Sequence, residues 1–234
     1  MYFYSIRPRH VYISSTFLVL FLISACADIA ATTSSNKPLI CSGNPYKQAS
    51  AELAQMAVED QSDRTEDQNN IDWEKVSDRD RERRQKTQSL LDRGCVQSAK
   101  DYDNVALIFQ HGITIEDYYQ AYILSKKSGD LGNLDGYSLM ALAIDRYLLN
   151  QGYAQLYGSQ AVPIKETLGS NEILFCLWPV WPDFPEEKRQ AVGISLAEKE
   201  AWLMRLNNQA DNTKHIYCDV PVKMPPKGIF ENIW

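Results

Sequence analysis

The chain has 234 residues, of which 44% are hydrophobic and 23% charged, with 30 acidic against 24 basic residues and a net charge of −6. That length is enough for one domain with a sizeable core. The acidic balance excludes a nucleic-acid partner, because phosphate binding needs clustered Lys and Arg, and the absence of any Cys-x-x-Cys or Cys/His cluster speaks against a zinc site, so neither metal nor cofactor is expected.

Met1 to His10 holds Arg7 and Arg9 and no acid, and Val11 to Ile23 is almost continuously apolar. This is the pattern of a secretory signal peptide over residues 1–25. The apolar run falls short of the ~20 residues a spanning helix needs. Leu22-Ile23-Ser24-Ala25-Cys26 resembles the lipobox of bacterial lipoproteins, in which the cysteine receives diacylglycerol and becomes the new N-terminus. The alternative is an ordinary cleaved signal with Cys26 in a disulfide. Several acyl chains would make the membrane anchor lasting. Ala27 stands where an aspartate would retain an enterobacterial lipoprotein on the inner membrane, so that resemblance implies an outer-membrane address facing the periplasm.

Residues 26–46 are rich in Ala, Thr, Ser, Asn, Pro and Gly and read as a flexible tether. Removing Arg7 and Arg9 with the signal takes the net charge to about −8. Besides Cys26 there remain Cys41, Cys95, Cys176 and Cys218, an even number in an oxidising compartment, where disulfides are the default. Four cysteines allow three pairings. Cys176 and Cys218 both sit in strand-like runs, 173–178 and 215–220, which favours joining them and leaves Cys41 to pin the tether near Cys95.

The first helix is expected from about Gln48 to Arg64. Leu53, Ala57, Asp60 and Arg64 are spaced four, three and four, so an acid and a base continue the inward stripe and must be hydrogen-bonded. A second, heavily charged helix spans about Asp72 to Arg93, with slight burial except near Leu90 and Leu91; its run from Arg79 to Lys86 reads as a solvated face. Asp101 can cap a third helix that ends in Gln110-His111 before Gly112. Thr114-Ile115-Glu116-Asp117 matches a capping box for a fourth helix, with Gly129 as its stop. The fifth runs from about Leu134 to Asn150, its apolar pattern interrupted by Asp145 and Arg146. Residues 47–210 thus form the expected helical domain, closing with Ser195-Leu196-Ala197-Glu198 as another capping box. Residues 211–234 form a covering segment. The Trp178-Pro179-Val180-Trp181-Pro182 stretch reads either as cover for the core or as an exposed docking surface.

Four boxes recur in this order: Asp60-Gln61-x-x-Arg64, Gln110-His111-Gly112, Asp145-Arg146-x-Leu148 and Gln155-x-Tyr157-Gly158-Ser159-Gln160. Asp101-Tyr102, Asp117-Tyr118 and Arg189 with Gly193-Ile194 accompany them. Over about residues 55–206 this resembles a bacterial domain family of unknown function with DQxxR, QHG, DRxL and QxYGTQ boxes, from which the chain departs by Ser159 in place of threonine. The resemblance implies a shared polar constellation and no particular substrate.

In chemical terms the constellation offers His111, Asp145 and Asp60 as acid–base candidates, and Gln61, Arg64, Gln110, Arg146, Gln155, Tyr157 and Gln160 as ligand-binding candidates. One reading is a site for an anionic or sugar-like ligand. The other is a buried network clamping helices together, each Arg neutralised by its Asp. The expectation is a mainly α, antiparallel or orthogonal helical domain with a small strand-like C-terminal appendage, tethered to the outer membrane. It would bind a periplasmic protein or an envelope ligand, or else act as an acid–base hydrolase or transferase on an envelope glycan or peptide.

Overall fold

The computed structural model describes residues 41–65, 70–165, 173–207 and 216–225, all within the unit Pro38–Trp234. Cys26, the signal peptide and most of the tether lie outside the described residues. The fold is mainly α: among the described residues there are seven helices, α1 (Gly43–Ser62), α2 (Trp73–Asp92), α3 (Ala99–Gln110), α4 (Ile115–Asp130), α5 (Asp135–Asn150), α6 (Glu186–Ala191) and α7 (Leu196–Leu206), and one two-stranded antiparallel sheet of β1 (Ala161–Lys165) and β2 (Ile173–Leu177). α1 begins five residues before the expected Gln48, inside the range read as tether.

The helix ends follow from their caps. Thr114 and Asp117 satisfy each other's backbone N–H groups, as expected, and open α4. At α3 the cap is Ser98, one turn ahead of the residue expected: its hydroxyl accepts from Asp101 N, while Asp101 sits at the third helical position and accepts from Ser98 N. Asp101 is buried and also accepts from Tyr46 Oη at 2.8 Å and Ser50 Oγ at 2.5 Å, which ties the start of α1 to the start of α3. Gly129 does not stop α4. It lies inside the last turn, where an added Cβ would fall 2.6 Å from the Tyr137 ring, and the chain turns instead at Gly132, with φ +100°.

Two apolar clusters flank α5. One gathers Leu53 and Met56 of α1, Leu90 of α2, Val105, Ile108 and Phe109 of α3, Ala121 and Leu124 of α4, and Ala143. The other packs Met140, Ile144 and Leu148 of α5 against Leu156, Tyr157, Phe184 and Val192. A helix covered on both sides reads apolar nearly all round, as α5 does. Its contact with α4 is backbone-close, because a Cβ on Gly136 would meet Ser125 O and Gly129 N at 2.7 Å.

α2 departs most from expectation. Val76, Asp80, Arg83, Thr87 and Leu90, spaced four, three, four and three, are all buried. The charged run read as a solvated face therefore turns two of its charges inward.

The sheet pairs Val162 with Cys176 and Pro163 with Phe175. β1 was not expected, and among the described residues of the run 215–220 there is only a single bridge, Leu177 to Tyr217. The disulfides are Cys41–Cys95 and Cys176–Cys218, the favoured pairing. Lys223 exchanges backbone bonds with Gly152 and Ala154, fastening the described part of the C-terminal segment to the end of α5.

Candidate functional site

The site is centred on His111, the residue that closes α3. Its Nδ1 lies 2.7 Å from Asp60 Oδ2, across from the C-terminal end of α1. The same oxygen accepts from Gln61 Nε2 at 2.9 Å. Arg64 wraps back over the helix end, donating to Asp60 O at 2.7 Å and sitting 3.3 Å from Asp60 Oδ1. Of the constellation expected from the sequence, Asp60, Arg64 and His111 come together, with Gln61 beside them, and Asp145 does not join them.

Beneath it lies a ladder of charges that draws Arg79, Asp80 and Arg83 from the run expected to be a solvated face. Asp80 takes Arg64 on one oxygen at 2.5 Å and Arg83 on the other at 2.7 Å. Arg83 also donates to Asp63 at 2.6 Å, and Arg79 reaches Asp63 at 2.9 Å. Three carboxylates (Asp60, Asp63, Asp80) meet three guanidinium groups (Arg64, Arg79, Arg83), so the ladder is electrically balanced and fastens α2 to the C-terminal end of α1. Asp80 and Arg83 are the partners the reading missed. Their signal was the spacing to Val76, Thr87 and Leu90, which puts all five on one face.

Asp145 is elsewhere. It is fully buried, and its carboxylate accepts from Leu156 N at 2.7 Å, Tyr157 N at 3.0 Å and Ser159 N at 2.9 Å. It does not orient His111, and it does not neutralise Arg146: adjacent helix positions diverge by about 100°, so the two side chains leave α5 in different directions. Arg146 instead donates to the Gln110 carbonyl and to Gln160 Oε1 at 3.2 Å. Gln155 and Gln160 close a ring of amide bonds: Gln160 N donates to Gln155 Oε1 at 2.9 Å, and Gln155 Nε2 donates to Gln160 O at 3.1 Å and Trp178 O at 2.7 Å. Tyr157 is fully buried with its ring edge-on to Phe184, 4.9 Å between centroids. Asp145, Gln155, Tyr157 and Gln160 thus build the loop that follows α5, each of them fully buried. Gly158 has φ +73°, and a Cβ there would fall 2.8 Å from Leu196 Cδ1. Arg189 supports the same loop, donating to Leu156 O at 2.8 Å and Trp181 O at 2.9 Å.

What is left facing outward is narrow. The His111 side chain keeps 12% of its surface in solvent and Arg64 keeps 19%. His111 Nε2 has no hydrogen-bond partner among the described residues. The neighbouring Gln110 side chain is buried with neither its amide nitrogen nor its oxygen partnered. Arg84 holds the His111 carbonyl at 3.1 Å and reaches toward Asp117 at 3.8 Å. Gly112 is obligatory at this turn, since a Cβ would lie 2.2 Å from that of Asp117.

Burial pushes the His111 imidazole below its usual 6.5, outweighing the opposite pull of Asp60, with Arg64 and Arg146 lowering it further. Burial alone would raise the Asp60 carboxyl, but the His111 hydrogen bond and charge, Arg64 and Gln61 hold it below 3.8. At neutral pH the pair is a carboxylate and a neutral ring. The carboxylate fixes the proton on Nδ1 and leaves a lone pair on Nε2. Burial lowers Arg146 to about 10, so it keeps its charge, and burial raises Tyr118, against the nearby Arg146.

Trp178 and Trp181 are half-buried, Trp181 packing on the second apolar cluster, so this stretch covers the core. Among the described residues no group of three or more His, Cys, Asp or Glu side chains is placed to hold a metal ion. No protein-family model matches the chain, and no curated protein or solved structure matches it.

Proposed function

We propose that the chain is a lipoprotein of the outer membrane, anchored at Cys26 and facing the periplasm, whose helical domain binds an envelope ligand at His111. The observation that supports this most is the asymmetry of the imidazole. One nitrogen is fixed by a buried carboxylate, while the other, at a partly open point, has no partner among the described residues. A histidine serving only the charge ladder would be expected to use both nitrogens inside it, whereas this one ends the ladder and turns an acceptor outward. The ordered boxes and their resemblance to the bacterial family of unknown function fit a site built from Asp60, Gln61, Arg64, Gln110, His111 and Arg146, with the remaining boxes holding the loop behind it.

The acceptor suits a ligand that offers a hydrogen-bond donor, and Arg64 beside it favours a carboxylate on the same ligand. Soluble peptidoglycan fragments carry both. The test follows the His111 ring resonances of the full-length chain during titration with such fragments. A saturable shift that His111→Gln abolishes is expected; resonances unmoved by every fragment would dismiss the reading.

The second reading, acid–base hydrolysis or transfer on an envelope glycan or peptide, is favoured by the same tautomer, since a neutral ring with its proton held on Nδ1 is what a general base requires. Asp60 is then the orienting group. Turnover of the fragments, lost in Asp60→Asn as well as His111→Gln, separates catalysis from binding.

A further inference from the structure

α1 and α3 begin at one end of the helical domain, and α4 ends there. α3 begins at Ala99, whose carbonyl accepts from Ser128 Oγ in the last turn of α4 at 2.8 Å. α1 begins there too, through Tyr46 and Ser50 on Asp101, and the Cys41–Cys95 bridge lies at the same end. His111, Asp60 and Arg64 are at the opposite ends of α3 and α1. At 1.5 Å per residue, the stretch of α1 from Tyr46 to Asp60 puts about 20 Å between the point where the tether enters and the site.

The turn between α4 and α5 projects from the tether end, and it carries two exposed leucines. Leu131 is 46% exposed and Leu134 is 74% exposed, the highest among the large hydrophobic residues described. Neither serves the core, which α4 and α5 fill with Ala121, Leu124, Met140 and Ile144. The turn itself is fixed, by Asn133 Nδ2 on Ser128 Oγ and by backbone bonds from Leu131, Gly132 and Asn133 into the last turn of α4. Lys126 is paired with Asp130, and Lys127 and Asp135 balance each other in sign, so the tip is electrically neutral.

We propose that this α4–α5 turn is a membrane-seating tip: Leu131 and Leu134 insert into the interface of the bilayer that holds the lipid on Cys26, and the His111 end of the helices is thereby turned away from the membrane. The proposal rests on the anchor at Cys26. The occupant follows from where the tether ends, since Cys26 lies only 15 residues before Cys41 and that chain spans at most about 50 Å. Two leucines would hold a free protein weakly. A tether this short makes the contact intramolecular, so a weak contact is enough. Because the tip is neutral, the contact is apolar and insensitive to salt.

The test compares backbone hydrogen exchange of the full-length lipidated protein on phosphatidylethanolamine–phosphatidylcholine vesicles with that of the Cys26→Ser chain in solution. Amides from 131 to 136 are expected to exchange about tenfold more slowly on vesicles, at low and high salt alike, and Leu131→Ser/Leu134→Ser should remove that protection while the protein still sediments with the vesicles. Equal exchange in the lipidated and unlipidated chains overturns the proposal, as does protection that salt removes or that grows with protein density, the mark of a contact between copies. The mass of the N-terminal peptide reads the anchor separately: an unmodified Cys26 sinks the anchor reading, whereas a lipidated chain with an unprotected tip sinks this proposal alone.

Discussion

His111 and Asp145 have opposite effects on stability as pH changes, and the two can be told apart. The folded His111 titrates below 6.5, so as pH falls through 6.5 the unfolded chain takes up the proton first and stability is lost until the folded ring also protonates. Burial raises Asp145 to about 6, against the N–H groups of Tyr157, Ser159 and Leu156, so between about 6 and 3.8 the folded chain is protonated first and stability is gained as pH falls. Of these two slopes, His111→Gln keeps only the second between pH 7 and pH 5, above the range in which carboxyls such as Asp60, held below 3.8 in the fold, titrate. The urea midpoint of this variant should therefore rise between pH 7 and pH 5, and a midpoint that falls would show that His111 is not the group opposing it. Asp145→Ala should cost roughly 3–5 kcal/mol, because it strands three buried backbone N–H groups. His111→Gln should cost only about 1 kcal/mol, since the glutamine amide can still donate to Asp60. Chemical denaturation of the two variants gives the comparison directly. The spacing of Leu53, Ala57 and Asp60 was enough to place Asp60 inside, and His111 at the end of α3 followed from Gly112. That Asp145 serves a backbone loop was not readable, because its partners are N–H groups whose positions depend on how residues 156–159 turn.

Where α2 meets the C-terminal end of α1 the contacts are between charges, and this is why the sequence pattern assigns that stretch of α2 to solvent. A sequence reveals an apolar stripe by composition, but a stripe of Asp80 and Arg83 looks like surface until the partners on another helix are known. Arg83→Met leaves Asp63 and Asp80 each short of a buried partner and should cost about 3 kcal/mol or more. Asp80→Asn should also destabilise, and the double variant should fall short of the sum by about 1–3 kcal/mol, the mark of one shared network. Strict additivity in the denaturation midpoints would mean that Arg83 and Asp80 act independently. The α4 capping box was legible because it is local, Thr114 and Asp117 being three residues apart. β1 was not, since Pro163 breaks a strand pattern and is tolerated here only because the sheet has two strands and each is an edge.

At the scale of the whole chain the two disulfides close loops of similar length, with separations of 54 and 42 residues, so by loop-closure entropy each should contribute about 4 kcal/mol. Their structural consequences differ. Cys41–Cys95 fastens the first turn of α1 beside Leu91 and the start of α3, in the cluster that also holds Leu53 and Phe109, so Cys41→Ser/Cys95→Ser should loosen the helices that position Asp60 opposite His111. Cys176–Cys218 joins β2 to the segment that runs on to Lys223, which is also tied down by the backbone bonds at Gly152 and Ala154 and by Tyr217 Oη on Glu200 of α7. Cys176→Ser/Cys218→Ser should therefore speed hydrogen exchange at residues 173–177 and 216–225 while leaving the helical signal and the His111 resonances in place. Loss of helicity in this second variant, equal to the loss in the first, would mean that the C-terminal segment holds the helices together instead of lying over them. The thiol count adds a check on the same molecule: with both bridges formed and Cys26 acylated, the denatured, unreduced chain should show no free thiol. One free thiol points to an unmodified Cys26, and more than one to an open bridge.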